Sequence, residues 1–247
     1  MKKWIYRIIL LVCIGVFGYS AFHLYQIYQD KHQIEQEKKT YQKMATKNSE
    51  NTEVLNPDWN ALQQSSPDIV AWLYVPGCDI NFPVVQGSDN SYYLDHTTGK
   101  QSSPYGSIFL DYKANNQFMD DNSIIYGHSV EGGGMFTNLK NFTDESFFNK
   151  HDAFYLLTPN GNYKCTIYAF AKTTDSSAFY TTAFGSYRDD TLAKWVNEAM
   201  YSRAVDTTSA HFVSLSTCNL DYGFHSNQRY VLTGVMQEWT DPITVSE

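Results

Sequence analysis

Positive charge is scarce in this chain of 247 residues: 18 lysines and arginines face 26 acidic residues, a net charge of -8. That balance excludes a nucleic-acid partner, whose phosphates would repel the protein. Cysteine is scarcer still, with four in all. Cys13 falls in an N-terminal apolar run, which leaves Cys78, Cys165 and Cys218 for the rest of the chain. An odd number of thiols in an oxidising compartment cannot all pair, so one stays free as a candidate reactive group. A Cys78–Cys165 disulfide is the alternative for the other two, although both sit among strand-like residues that read as packing positions. There is no internal repeat and no low-complexity tract, and residues 8–22 carry no charge at all.

That uncharged stretch follows Lys2, Lys3 and Arg7 and gives way to dense polarity from Gln29 onward. It is short against the roughly 17–25 residues of a spanning helix. Trp4, Ile5 and Tyr6 before it, and Leu24, Tyr25 and Ile27 after it, extend it with the rings favoured at membrane interfaces. A cleaved signal peptide is the rival reading, and it lacks a small-x-small cleavage site, since Tyr19-Ser20-Ala21-Phe22 is a poor one. The expectation is an uncleaved membrane anchor over 1–28. Every early basic residue precedes the span, so the N-terminus stays cytoplasmic and the remainder lies outside. Residues 29–55, rich in Gln, Lys and Glu, read as a polar stalk, and 56–247 as one extracellular domain.

Aromatic residues are plentiful, at 16% with nineteen tyrosines, which suits a β-rich fold. Asn56-Pro57-Asp58 reads as a helix cap with proline at the first helical position, ahead of Trp59 and Leu62 on one face. Ser66-Pro67-Asp68 repeats the signal before Ile69. Eight runs rich in β-branched and aromatic residues follow, at 72–75, 80–85, 107–110, 123–126, 153–157, 163–171, 211–217 and 229–238, bounded by Gly, Pro, Asn and Asp. Eight strands make a small barrel the expected architecture. One late helix is expected from Asp189, Asp190 and Thr191 at its start, a core stripe of Leu192, Trp195, Val196 and Ala199, and Arg203 near its end.

A cysteine acts as a nucleophile only as thiolate, so it needs a base or cation beside it and access to solvent. Cys218 ends the apolar-alternating run from His211. Outside the anchor and stalk the histidines are His96, His128, His151, His211 and His225. His128 follows the strand run Ile124-Ile125-Tyr126 and Gly127 and precedes a glycine-rich loop, a place from which a side chain can face a cleft. His211 lies seven residues before Cys218, so strand alternation points the two to opposite faces. His225 is able to fold back on Cys218 through the intervening loop, and the pattern leaves it open beside the favoured His128. Arg229 is either a fixed donor for a developing oxyanion or a surface arginine opening the last strand.

Ser214-Leu215-Ser216-Thr217-Cys218, with Arg229-Tyr230-Val231-Leu232 downstream, resembles the cysteine and arginine signatures of the sortase family. Tyr126-Gly127-His128-Ser129 with Gly134-Met135-Phe136 resembles its histidine motif, and Trp72-Leu73-Tyr74-Val75-Pro76-Gly77 with Phe82-Pro83-Val84-Val85-Gln86 its opening strands. The N-terminal helices, the stretch 86–94 and the late helix are similar to class B. Ser214 stands where threonine is usual, and the gap from Cys218 to Arg229 is one residue longer than the class pattern. The resemblance implies an eight-stranded sortase-type β-barrel with N-terminal helices and one late inserted helix. It also implies a cysteine transpeptidase that needs no cofactor and no metal. Its substrates would be secreted proteins bearing a C-terminal sorting motif, joined through a thioester to an amine of peptidoglycan or its lipid-linked precursor.

Cys218 would be the nucleophile, His128 the acid and Arg229 the oxyanion donor. Asn90 and Leu94 match positions lining the signal groove, Ser216 precedes the nucleophile on the same strand face, and Thr173 and Tyr180 are expected groove walls. Packing or turn roles are the alternative for each of these five. Asp221 reads as a solvated loop acid. A papain-type or NlpC-type cysteine endopeptidase would place the cysteine before the histidine at a helix start, and a non-catalytic wall-binding module would not need the three residues to converge.

Overall fold

The computed structural model describes residues 2–49, 52–130, 133–218, 223 and 226–245, and the side chains of 2, 48, 49 and 218 lie outside that description. The chain divides into two units, Met1–Thr40 and Tyr41–Glu247. The first is helical: α1 runs Lys2–Ala45, and its apolar residues such as Ile9, Leu11, Phe17 and Tyr25 are exposed. By length and composition this helix is able to cross a membrane, which is compatible with a single-pass anchor.

In the second unit the last turn of α1 is followed by β1 (Thr46–Ser49), β2 (Thr52–Leu55), α2 (Trp59–Ser65), β3 (Ile69–Val75), β4 (Ile80–Val85), β5 (Phe109–Leu110) and β6 (Asn122–Tyr126). A 3-10 turn at Thr137–Thr143 leads to α3 (Glu145–Lys150), β7 (Ala153–Thr158), β8 (Gly161–Thr174), α4 (Arg188–Glu198), β9 (Tyr201–Ser202), β10 (His211–Cys218), β11 (Gln228–Glu238) and β12 (Ile243–Thr244). The main sheet runs β11-β10-β6-β5-β4-β3-β7-β8-β9, and β11 also pairs with β8. That last pairing closes eight strands into a barrel and leaves β9 as a short flap beside β8. The eight expected runs are the eight barrel strands. Closure bends β8 against β11, where the register shifts between Thr233 and Gly234. A Cβ on Gly234 would stand 2.7 Å from the Phe154 ring, so the approach requires glycine.

Apolar packing covers the outside of the barrel at two places. Tyr41, Ala45, Leu55, Leu62, Trp72 and Ile243 form one buried cluster. Phe179, Phe184, Leu192, Trp195 and Phe212 form another under α4. The first cluster moves a boundary: the compact unit begins at Tyr41, inside the stretch expected to be stalk, because Tyr41 and Ala45 are buried and β2 pairs with both β1 and β12. These few apolar residues are diluted by polar neighbours in sequence, and their burial depends on partners as near as Leu62 and as far along the chain as Ile243.

Three local expectations are corrected. The cap of α2 is Asp58, not Asn56, since its carboxylate accepts from the Ala61 amide at 3.0 Å. Ser66-Pro67-Asp68 opens no helix: Ser66 ends α2, and Ile69 starts β3. The late helix stops at Glu198, so Ala199 is its C-cap, Val196 is exposed, and Arg203 lies beyond β9.

A chain beginning at residue 56 is expected to be less stable than one beginning at 41 by about 3–6 kcal/mol, from losing Tyr41 and Leu55 at about 1.5–3 kcal/mol each. Urea unfolding of the two truncations measures it.

Candidate active site

The central pairing is parallel, with β10 on β6 in the register Ser214↔Ile124, Leu215↔Ile125, Ser216↔Tyr126. From the last pair the two chains run on, toward His128 past the end of β6 and toward Cys218 at the end of β10. Two contacts hold the chain on that course past the strand end: the Gly127 amide donates to Ser216 O at 3.2 Å, and Ser129 Oγ lies 3.0 Å from Thr217 Oγ1. On the other side of β10 the antiparallel register sets Cys218 opposite Arg229. The chain at His128, Cys218 and Arg229 thus lies at one end of adjacent strands. The Cys218 side chain, His225 and Asp221 lie outside the described residues.

A groove of about 260 Å³ opens at this place, lined among others by Asn90, Leu94, Tyr126, His128, Tyr180, Ser216, Thr217 and Arg229. Four of the five expected groove residues therefore lie on it. Thr173 does not: it sits on β8 opposite Arg229 of β11, and its hydroxyl donates to Glu198 at 3.4 Å. His211 is held elsewhere, with Nδ1 2.8 Å from Asp120 O. A larger groove of about 1040 Å³ runs past Pro76, Lys140, Asp144 and His151, and none of the expected residues lines it.

Each wall has a physical support. Tyr180 Oη lies 2.6 Å from Ser216 Oγ. The segment carrying Tyr180 is fixed by Asn122, whose amide donates to Phe179 O at 2.9 Å and Thr181 O at 3.1 Å. Asn122 is fully buried, and its Oδ1 accepts from Ser214 Oγ at 2.8 Å, while Ser214 Oγ also sits 2.8 Å from Thr233 Oγ1. The serine at this position thus keeps the hydroxyl in use. On the opposite wall Asp111 Oδ2 accepts from Asn90 Nδ2 at 2.8 Å and from Tyr126 Oη at 3.2 Å. Burial first, and the Asp111 charge next, push the Tyr126 phenol above its ordinary range, so it remains a donor.

Arg229 donates to Ser226 O at 2.7 Å and Gln228 O at 2.9 Å, and Asp175 Oδ2 stands 3.4 Å from its other terminal nitrogen. These contacts fix the guanidinium at the groove wall. Asp111 and Asp175 escaped the sequence reading, because the two acids meet their partners only through tertiary structure. Tyr126 and Thr217 lie inside the histidine and cysteine motifs, where the sequence assigns them no role of their own.

Cys78 and Cys165 are free and buried. Burial pushes the Cys78 thiol up to about 12, and its Sγ donates to Asn138 O at 3.6 Å. Cys165 is raised by burial as well. Neither supplies a thiolate near neutral pH.

The sortase domain model matches residues 73–237. The chain belongs to the sortase family. Sortase B of Listeria monocytogenes is 32% identical over 241 residues, spanning 95% of this chain and 97% of that one. Sortase B from B. anthracis, solved in complex with AAEK1, matches with a TM-score of 0.74 at 26% identity, covering 86% of this chain and 100% of that one. A Staphylococcus aureus sortase B–substrate complex matches with a TM-score of 0.68 at 26% identity, covering 74% and 85%. This sortase is of class B, a transpeptidase with a cell-wall function, and its eight-stranded barrel is the one expected.

In this sortase Asp111→Ala is expected to cost about 1–3 kcal/mol of stability by leaving the Tyr126 hydroxyl without its acceptor. Tyr126→Phe in the same background should recover part of the loss, and a double-mutant cycle by urea unfolding reads the coupling.

Proposed function

We propose that this sortase cleaves the C-terminal sorting signal of secreted proteins after threonine and joins the new carboxyl end to an amine of peptidoglycan or of its lipid-linked precursor. The observation that carries this reading is the convergence of Cys218, His128 and Arg229 at one end of β6, β10 and β11, beside a groove lined by Asn90, Leu94, Tyr180 and Ser216. The substrate complex of the Staphylococcus aureus relative supports a peptide as the occupant.

In the first half-reaction the Cys218 thiolate attacks the threonine carbonyl carbon, and the negative charge moves to oxygen. Arg229 donates to that oxyanion; its guanidinium carries no removable proton, so it acts as an electrostatic donor and never as a base. His128 enters as imidazolium and gives one proton to the departing amine, and the carbon–nitrogen bond breaks to leave a thioester. In the second half an acceptor amine attacks the thioester, His128 takes its proton, and the thiolate leaves. The covalent intermediate replaces one high barrier by two lower ones, and water competes as the slower acceptor. The anchor over 1–28 holds the domain on the outer face of the membrane with the N-terminus in the cytoplasm.

The protein lacking residues 1–28 is expected to cleave a peptide carrying an NPxTx-like or LPxTG-like signal between threonine and the next residue, and intact-mass measurement to find an acyl adduct on Cys218. Cys218→Ala should abolish both. Turnover persisting in that variant would falsify the assignment of the nucleophile. Arg229→Ala should lower kcat by roughly 10²–10³-fold, the effect of deleting one oxyanion donor.

The same protein is expected to take up one equivalent of a thiol reagent at pH 7, at Cys218, with Cys78 and Cys165 protected by burial. Peptide mapping that finds native-state label on Cys78 would contradict this.

A further inference from the structure

We infer that Gly106 is a positioning residue for the reaction, because its missing side chain lets the Leu94 carbonyl stand where it takes the Nε2 proton of His128 as a hydrogen bond. The inference rests on the proposed role of His128 as the acid. His128 Nε2 lies 2.6 Å from Leu94 O, across 34 residues of chain. A carbonyl oxygen only accepts, so the nitrogen facing it carries a proton in every protonation state, and Nδ1 is the nitrogen that gains and loses one. Leu94 O therefore decides which end of the ring does the chemistry.

The carbonyl is held by its own loop. Tyr93, within the 3-10 turn Tyr92–Leu94, is fully buried and donates its hydroxyl to Asp68 Oδ2 at 2.6 Å. The Ser107 amide returns to Tyr93 O at 2.9 Å, the Ser103 amide to Asp95 O at 2.8 Å, and Ser107 Oγ to His96 O at 2.8 Å. Gly106 lies between these fastenings with φ +59. A Cβ there would stand 2.5 Å from Tyr93 O, 2.6 Å from Leu94 O and 2.9 Å from the Leu94 carbonyl carbon. All three are backbone atoms and cannot rotate aside as a flexible side chain would. The two ends of the loop are pinned, so a side chain at 106 is accommodated by turning the Leu94 peptide. That removes the acceptor from His128.

A glycine needed only for its left-handed turn would, when replaced, lower stability and leave the chemistry of the folded fraction alone. Gly106→Ala is expected to lower kcat for signal-peptide cleavage about 10- to 100-fold with KM changed by less than about threefold, since acid–base transfer is worth about 10²–10⁴-fold and here is misdirected rather than deleted. The measurement uses the full chain in detergent micelles, with kcat referred to the folded fraction. Nitrogen-15 imidazole spectra of the unmutated protein supply a reading that does not depend on the variant folding: neutral His128 should carry its proton on Nε2. In folded Gly106→Ala the Nδ1–H form should appear beside it.

A wild-type spectrum with the proton on Nδ1, or a folded Gly106→Ala enzyme with unchanged kcat, overturns the inference. His128→Ala separates the two levels of argument. If it retains full turnover, the acid is misassigned; if it is inactive while Gly106→Ala is fully active, only the role of Gly106 is lost.

Discussion

The parallel pairing of β10 with β6 is the constraint on which the site depends. Its register sets Ser216 against Tyr126, and the two chains leave that pair alongside each other, held by the Gly127 amide on Ser216 O and by Ser129 Oγ beside Thr217 Oγ1. A slip of one residue would reverse every side chain of β10 between the barrel interior and its outer face, and Phe212, Val213 and Leu215 are all fully buried. The hydrophobic core therefore enforces the register, and the register brings the histidine motif to the cysteine. The antiparallel partner β11 delivers Arg229 by the same means. Packing energy spent on apolar residues thus sets the geometry of polar ones that contribute little to stability themselves.

Buried hydroxyls and an amide extend that control to the groove. Ser214, Thr233 and Asn122 meet in the interior, and Asn122 reaches out to the two carbonyls flanking Tyr180. A fully satisfied buried network of this kind is geometrically strict, because breaking any member leaves the others desolvated. The wall carrying Tyr180 accordingly has a backbone held from within the barrel, while the wall carrying Asn90 is held by Asp111 from the side.

Strands were legible because their signals are local. Alternation and β-branched runs separated by Gly, Pro, Asn and Asp locate all eight, and the order of the three motifs along the chain carries the family resemblance. What stayed hidden depends on distant partners. Tyr41 and Ala45 look like polar-helix residues until Leu62 and Ile243 cover them, and Asp111 looks like a turn acid until Asn90 and Tyr126 arrive. The helix caps failed for another reason: Asn56 and Asp58 are both good capping residues two positions apart, and the choice between them follows from where the chain leaves α1, with Asn56 and Asp58 amides bonded to Ala45 O and Met44 O.

Closure of β8 onto β11 has a consequence for how a peptide is received. An open sheet offers an incoming extended chain a row of unused amides and carbonyls, and many peptide-binding proteins accept their ligands as an extra strand. Joining the ring takes the facing edges of β8 and β11 out of use. At that seam an extended chain meets side chains and not a row of free amides.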